Sequence, residues 1–588
     1  MLKEGTHKIT RNEDLANLMN SFFTEKITKN REEIDNQGLP YNATDHMKST
    51  LKKETPNFGI LKVTQEEVAL SISKLNNSGG AGIDGISNKM IKLSMGAILE
   101  PLTILINRSI EEGIYPSSWK LAKIIPLHKK NCQLTPKNYR PIAMLSKLSL
   151  ILEKIMHKQI LHHFTSNGLF HQNQHGFLKG RSCVTCLATN MDSWARGADN
   201  NMYTGILCLD MTAAFDLVDP IIMINKLEAL GMDQNSTRWI RSYLTGRKQK
   251  VSINNTLSQE LPVPLGVPQG SRLGPLLFTI YSIDMPECTK NGTLHTYADD
   301  SQDSITGQDP NKVNLELNED AIHIQRWMMS NKLLLSPSKT EYMLATGKRR
   351  PRTEETNNLQ LAIDGTNFRQ NSTIRILGIT VNRDLDFRNH IDGTLEAGSP
   401  HIGLLKELSQ RLGMLSQLKL ISKNIMLGLV NGIVISKIIY GIQVYGGLTE
   451  SYSKKLQIIM NRGARLATGL DRHTPSTTLM YECNWLSFKN LASYHSLLTF
   501  FSIKISNERG QLKQKISGAR SMPPDLVPVY GTEQTRMLKD SFLPRTISQW
   551  NLLPLQIRSA PTMKIFKNTL RPHLMGLTMA GTSLSPSS

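Results

Sequence analysis

The stretch LHTYADD, residues 294–300, decides how this chain is read, together with GILCLD at 205–210. In each, an apolar run closes on a carboxylate. A short apolar run bounded by turn-forming residues is the pattern of a buried strand. A strand is therefore expected at Gly205–Asp210, and a strand-like pair is expected to bracket Tyr297–Asp300. An acidic residue at the lip of a buried strand is costly unless something cationic meets it. If a strand and a hairpin place Asp210, Asp299 and Asp300 side by side, a divalent metal relieves their repulsion best, and hard oxygen ligands with retained water suit Mg²⁺. Two such ions a few ångströms apart activate a hydroxyl and stabilise a pyrophosphate leaving group, the two-metal route to nucleotidyl transfer. A lone Asp-Asp pair also serves as an ordinary turn cap, so the chemistry depends on the company these residues keep.

The chain around them has 588 residues, enough for several packed units at roughly 150 residues per domain. Hydrophobic residues make up 39% and charged residues 20%, a globular balance that excludes disordered, collagenous and disulfide-stapled secreted classes. Sixty-nine Lys and Arg against 49 Asp and Glu leave a net charge of +20, a field that attracts polyanions and makes nucleic acid the first partner to consider. The cysteines are scattered without a repeated pair spacing, which fits a reduced intracellular protein. Cys183 and Cys186 form a CxxC without a second ligand pair, and no zinc is assigned. The N-terminal MLKEGTHKITRNED lacks the apolar core of a signal peptide. The most apolar stretch, Ile425 to Leu448, is interrupted by Asn431 and Lys437, leaving runs shorter than the roughly 20 residues of a bilayer span. It is expected to be a buried helix, and no membrane association is expected.

Residues 1–60 are polar with weak periodicity, a linker or helical leader. Thr64 and Glu67 have capping-box spacing ahead of Val68, Ala69, Ile72 and Leu75 on one helical face, and a second helix is expected from Met90 to Glu112, stopped by Gly113. Leu148, Ile151, Leu152 and Ile155 mark another helix, and Asp219 and Pro220 are the N-cap and first residue of one that Gly231 ends. A further helix with Trp239, Ile240 and Tyr243 leads to a basic turn, TGRKQKV. After the basic loop GKRRPRTEE the chain turns mostly helical, with Leu404, Leu408, Leu412 and Leu415 as an apolar stripe.

The ordered blocks NYRPIAMLSKLSLILEKI at 138, QHGFLKGRSCVTCL at 174, LDMTAAFDLVD at 209, SYLTGRKQKV at 242, GVPQGSRLGPLLF at 266, YADD at 297, SPSKTEYM at 336 and LGITVNRDLDFRNHI at 377 resemble those of non-LTR (LINE-type) retrotransposon reverse transcriptases of the jockey-like lineage. The likeness covers roughly residues 60–580. It implies an α/β right-hand polymerase: fingers and palm with an antiparallel palm sheet over 61–390, a helical thumb over 391–450, and a helical C-terminal region over 451–588. The implied activity is RNA-directed DNA synthesis, adding dNTPs to a DNA primer on an RNA template with two Mg²⁺ ions, or Mn²⁺ in their place. Nuclear access follows from the family's way of life.

Carried over by position, Asp210, Asp299 and Asp300 are the metal-binding carboxylates. Phe215 is the bulky side chain that crowds a nucleotide's 2′ position, which argues for DNA as product. Gln269 and Gly270 lie against incoming base and template. Arg140, Lys123 and Arg181 are candidate cations for the triphosphate, and Lys339 is placed to assist departing pyrophosphate. Arg247, Lys248 and Lys250, and the loop Lys348, Arg349, Arg350 and Arg352, are candidate contacts to the nucleic-acid backbone. Two departures stand out. The residues after YADD, SQDSI, are polar where the family has an apolar strand, so a weakened palm edge is expected. Nothing upstream of residue 60 has the length of the family's endonuclease, so a truncated copy is expected. A catalytically inactive, RNA-binding retroelement fragment and an RNA-dependent RNA polymerase or maturase-like relative stay open as alternatives.

Overall fold

Strand Tyr203–Thr212 is the axis around which the chain is built. Asp300–Gly307 pairs along one side of it and carries Thr293–Tyr297 beyond. Glu341–Thr346 and Leu334–Leu335 share its other side, which gives a five-stranded antiparallel sheet. The axial strand is apolar without alternation because helices cover both faces. Ile206 and Cys208 enter one core with Leu187 and Met191 of helix Cys183–Asp199, whereas Leu207 and Leu209 enter another with Val313 and Leu317 of helix Pro310–Ser330. Each such fully buried aliphatic side chain contributes roughly 1.5–3 kcal/mol. The computed structural model describes residues 2–4, 7–38, 42–50, 55–129, 132–347, 353–363, 365–414, 422–506, 511–517, 527 and 535–584.

A second sheet stands beside the first. Leu121–His128 and Tyr139–Met144 form a hairpin, and Leu121–Ile124 runs parallel to the start of strand Arg247–Ile253. Helix Asn12–Gln37 lies along this sheet, with Leu15, Ala16, Met19 and Phe23 packed among Ala122, Ile124, Ala143 and Val251. Of the two readings of the first 60 residues, a docked helix is what forms. Its apolar residues recur every fourth position and are diluted by the polar residues between them. Beyond Thr373, one continuous hydrophobic core extends to Leu584. Helices Glu450–Thr468, Phe488–Ile505, Phe542–Leu552 and Met563–Met579 share it, with fully buried Trp550 among Phe500, Phe501 and Phe566.

Several expectations are met at the residue level. The Thr64–Glu67 capping box forms with Val68 and Ile72 buried behind it, and Asp219 caps the helix that begins at Pro220 by accepting from the Ile221 and Ile222 amides. Others are corrected. The helix expected over 90–112 is two, Asn88–Leu93 and Met95–Glu112, divided at Ser94, where the backbone leaves helical geometry (φ −91°, ψ 7°). TGRKQKV turns only at Thr245-Gly246, where Gly246 has φ 66°, and from Arg247 onward it is strand. The polar residues after YADD form a full strand paired on both sides, so they occupy the sheet's interior and not an edge. Ile425–Leu448 is a broken helical run: Lys423–Val430, a π-helical turn Asn431–Ile435, then short helices from Ser436 and Ile442. It is buried through Met426, Val430, Val434, Ile438 and Ile442, while Ile425 and Leu429 face solvent. In helix Arg388–Met414 the buried leucine is Leu405, and Leu404 is exposed. The side chains of Leu408 and Leu412, and Leu415 entirely, lie outside the described residues, as do Lys348, Arg349, Arg350 and Arg352. Among the described residues no helix is long and apolar enough to cross a membrane.

Candidate active site

The sheet's register brings the acidic residues together. Asp300, first residue of its strand, is the direct ladder partner of Asp210, and Asp299 sits in the turn that joins strands Thr293–Tyr297 and Asp300–Gly307. Like charges opposite one another in an antiparallel pair repel. Burial, and after it the charges of Asp299 and Asp210, raise the Asp300 pKa to about 6, and Lys339 and Lys129 pull against that rise. Burial raises Asp299 too, with Asp210 adding to the rise and Lys339 and Arg140 opposing it. The turn is made by Ala298, a residue other than glycine with φ 58°. A methyl group at Gly176 would stand 2.5 Å from the Ala298 amide nitrogen, so only glycine lets the 173–176 segment lie against this turn. That segment is joined to the edge strand by His175 N–H to the Thr296 carbonyl (2.8 Å) and Thr296 N–H to the Asn173 carbonyl (3.0 Å).

Lys339 closes the site from the other flank. It ends the turn Pro337–Lys339, which is fixed by the Ser336 amide donating to the Asp210 carbonyl (2.9 Å), and its ammonium donates to Asp210 Oδ1. Among the described residues no three His, Cys, Asp or Glu side chains already converge to enclose an ion; Asp210 is turned to Lys339 instead. The donor chemistry nonetheless fits a divalent cation: three carboxylates at one lip, two of them weakened as acids by burial and by one another.

The remaining site residues divide. Phe215 stacks on Phe278 (centroids 4.5 Å apart, planes at 20°) and meets Phe177 edge-on (6.1 Å). Gln269 donates through Nε2 to Asp216 Oδ1 (2.7 Å), its carbonyl accepts from Ala143 N–H (2.8 Å), and Gly270 has φ 136° with Ala143 O only 2.4 Å from where a Cβ would be. The GVPQG turn thus ties the Ala214–Asp216 turn to the hairpin of the second sheet. Arg140 is exposed on that hairpin and its charge reaches Asp299, while Lys123 is half-buried on the same hairpin, opposite Met144 and beside Lys250. Arg181 is a clamp: its Nη1 donates to the carbonyls of His171 and Gln174 (2.6 Å each) and of Gln172 (3.3 Å). Arg247 is turned inward, 5% exposed, donating to the Tyr243 carbonyl with its guanidinium 5.1 Å from the Tyr243 ring. The strand that replaced the expected turn points it into the core. Lys248 is exposed and paired with Glu260 at 2.8 Å.

Three contributors were missed at the level of sequence. Asp216 orients Gln269. Gly176 admits the buttress of the YADD turn. Fully buried Glu153, pushed to about 7 by burial, accepts the Arg272 and Leu273 amides at the head of helix Gly274–Tyr281. Only the glycine of QHGF left a sequence signal.

The family described as reverse transcriptase (RNA-dependent DNA polymerase) matches residues 127–381, a span that holds Asp210, Asp299, Asp300 and Lys339. Over residues 127–381 the chain is similar to reverse transcriptases. Curated relatives agree. The RNA-directed DNA polymerase from mobile element jockey of Drosophila melanogaster is 27% identical over 69% of this chain and 44% of its own length. The same organism's "Probable RNA-directed DNA polymerase from transposon BS" is 27% identical over 82% of this chain and 53% of its own length. Its counterpart from transposon X-element is 27% identical over 78% and 49%. The chain thus spans about half the length of these curated relatives, and all three alignments are longer than the 127–381 match.

Proposed function

We propose that this chain is an RNA-directed DNA polymerase of a non-LTR retrotransposon, adding dNTPs to a primer 3′-hydroxyl on an RNA template. The observation that carries the reading is the register pairing of Asp210 with Asp300, with Asp299 in the adjoining turn. In this reading the five-stranded sheet is the palm, the Leu121–Met144 hairpin belongs to the fingers, 391–450 is the thumb and 451–588 a helical extension. Asp210, Asp299 and Asp300 would hold Mg²⁺, in one or two ions. Held by these carboxylates, a divalent metal would lower the pKa of the attacking hydroxyl and neutralise charge on the departing pyrophosphate.

The chain's own residues supply the rest. Lys339 holds Asp210 in place until substrate arrives and then stands beside the leaving group as a proton source. Arg140 offers an exposed fork of donors to the triphosphate, with Lys123 behind it on the same hairpin. Phe215, fixed by its stack on Phe278, leaves no room for a 2′-hydroxyl. Gln269 and Gly270 form the wall against base and template. Lys248 and Lys250 follow the duplex backbone, which makes binding salt-dependent. RNA template, DNA primer and dNTPs are the partners in this proposal, and the nucleus is where they meet. The test is primer extension by the purified chain on oligo(dT)-primed poly(rA) with dTTP and Mg²⁺, beside Asp299→Asn. Extension that the substitution abolishes supports the reading; a folded chain that retains RNA without extending the primer overturns it.

A further inference from the structure

From Ser541 to the end of the chain no Asp or Glu occurs, while Arg545, Arg558, Lys564, Lys567 and Arg571 do. Helix Met563–Met579 carries the last three of these, and helix Phe488–Ile505, packed against it, is likewise free of acidic residues. Where this pair meets the π-helical turn Asn431–Ile435, a cavity of about 430 Å³ opens, with Trp485, Leu486, Tyr494, His495 and Arg571 among its lining. Its floor is apolar and aromatic. Its rim is cationic: the Arg571 guanidinium is fixed by donating to the Asn484 carbonyl (2.7 Å) and lies 5.9 Å from the Tyr494 ring. Lys567, one turn earlier on the same helix, is exposed. Burial, then the charges of Arg571 and Lys567, push His495 down to about 4, so its ring is neutral and offers a stacking face. Glu482, beside the cavity's Cys483, is held by Lys423 at 2.8 Å and does not cancel the rim.

An apolar, aromatic cavity with a fixed guanidinium and an exposed lysine at its edge matches an aromatic base joined to a phosphate. We propose that this cavity takes one nucleotide of a single-stranded nucleic acid, its base stacked on one ring of the perpendicular Tyr494–His495 pair and edged by the other, and its phosphate on Arg571 and Lys567. It is a second contact, apart from the carboxylate lip, that holds a strand to the helical C-terminal body. The proposal does not depend on the polymerase reading, because binding is measured without dNTPs.

The test uses the full chain with short fluorescent oligo(U) and oligo(dT), read by anisotropy, and oligonucleotides bearing 5-iodouracil for photocrosslinking. The expected result is a crosslink within the peptide that contains Tyr494, and affinity weakened about tenfold by Arg571→Ala, the loss of one stacked and charge-held nucleotide. Arg571→Lys recovers part of that loss. Because Arg571 also holds the Asn484 carbonyl, Lys567→Glu serves as a surface variant at an exposed position, and it weakens binding in the same assay with an unchanged melting curve. Equal loss for oligo(U) and oligo(dT) marks a site that accepts either strand, and loss for one alone names its ligand. Crosslinks only outside residues 431–495 and 567–571, or unchanged affinity in both Arg571→Ala and Lys567→Glu, overturn the proposal. Asp299→Asn, which removes extension, leaves this crosslink in place, so failure of one reading is distinguishable from failure of the other.

Discussion

Asp300 and Asp303 stand on the same strand and lead opposite lives. Asp300 is at the lip, facing Asp210 across the ladder, with its pKa lifted to about 6 by burial and by two neighbouring carboxylates, and with Lys339 and Lys129 near enough to oppose the lift. Asp303 lies deeper and on the other face, opposite Leu207. It has no exposed surface, and neither carboxylate oxygen has a hydrogen-bond partner. Burial, then the charge of Asp320, pushes its pKa up to about 8. The two acids differ in what can relieve them. At the lip, repulsion is left for a cation to remove, and exposed basic residues stand around it. In the interior no cation can reach, so the carboxylate keeps its proton.

The comparison breaks first if the lip tolerates neutral amides. Asp210→Asn is expected to lower primer extension by about 10³-fold or more while oligonucleotide binding is kept, since the change removes a charge that acts only on the reacting groups. Steady-state kinetics beside anisotropy measures both, and retained extension would make the lip no different in kind from the interior. Asp303→Asn is expected to do the reverse, leaving kinetics alone and shifting stability with pH. The unfolded Asp303 carboxyl ionises near pH 4 and the folded one near 8, so the folded state holds a proton that the unfolded state has lost, and wild-type stability falls as pH rises between them. The Asn variant is free of this dependence. Its melting advantage should therefore grow by on the order of 4 kcal/mol from pH 5 to pH 8, as read by thermal melts across that range.

How much of this was legible depended on whether a position announces itself by local pattern or by a distant partner. The GILCLD and LHTYADD segments gave strands because apolar runs ending in an acid have few other fates, and antiparallel register then had to bring their ends together. The polar side chains of SQDSI predict a weakened palm edge, whereas flanking strands on both sides hold the segment in the middle of the sheet. For Arg247 the reason is related: alternation in a strand sends it to the core and Lys248 to solvent, where a turn exposes both. The Asp216–Gln269 bond spans two motifs far apart in the chain and leaves no local trace. In the last 140 residues the helices were expected, but nothing in their periodicity told which faces meet across the shared core.

Two smaller effects concern the residues that flank the lip. Lys339→Ala removes the cation from Asp210 and is expected to cut the rate of extension by about 10²-fold, the usual scale of one general acid, with primer-template affinity unchanged. A loss confined to affinity would place Lys339 in strand binding instead of chemistry. Asp216 is an acid of a third kind, interior but engaged, because its carboxylate accepts from Gln269 at 2.7 Å and burial raises its pKa without a second carboxylate at hand. Removing it frees the Gln269 amide, while the Ala143 to Gln269 backbone bond still holds the turn. Asp216→Ala should therefore raise the KM for dNTP about fivefold, the worth of one hydrogen bond at ~1 kcal/mol, with kcat little changed. Asp216→Asn, which still presents an oxygen to Gln269, should restore most of it. An equal loss in both variants, or a loss in kcat, would mean that the charge of Asp216 acts at the lip, and the line between lip and interior would have to be drawn deeper in the sheet.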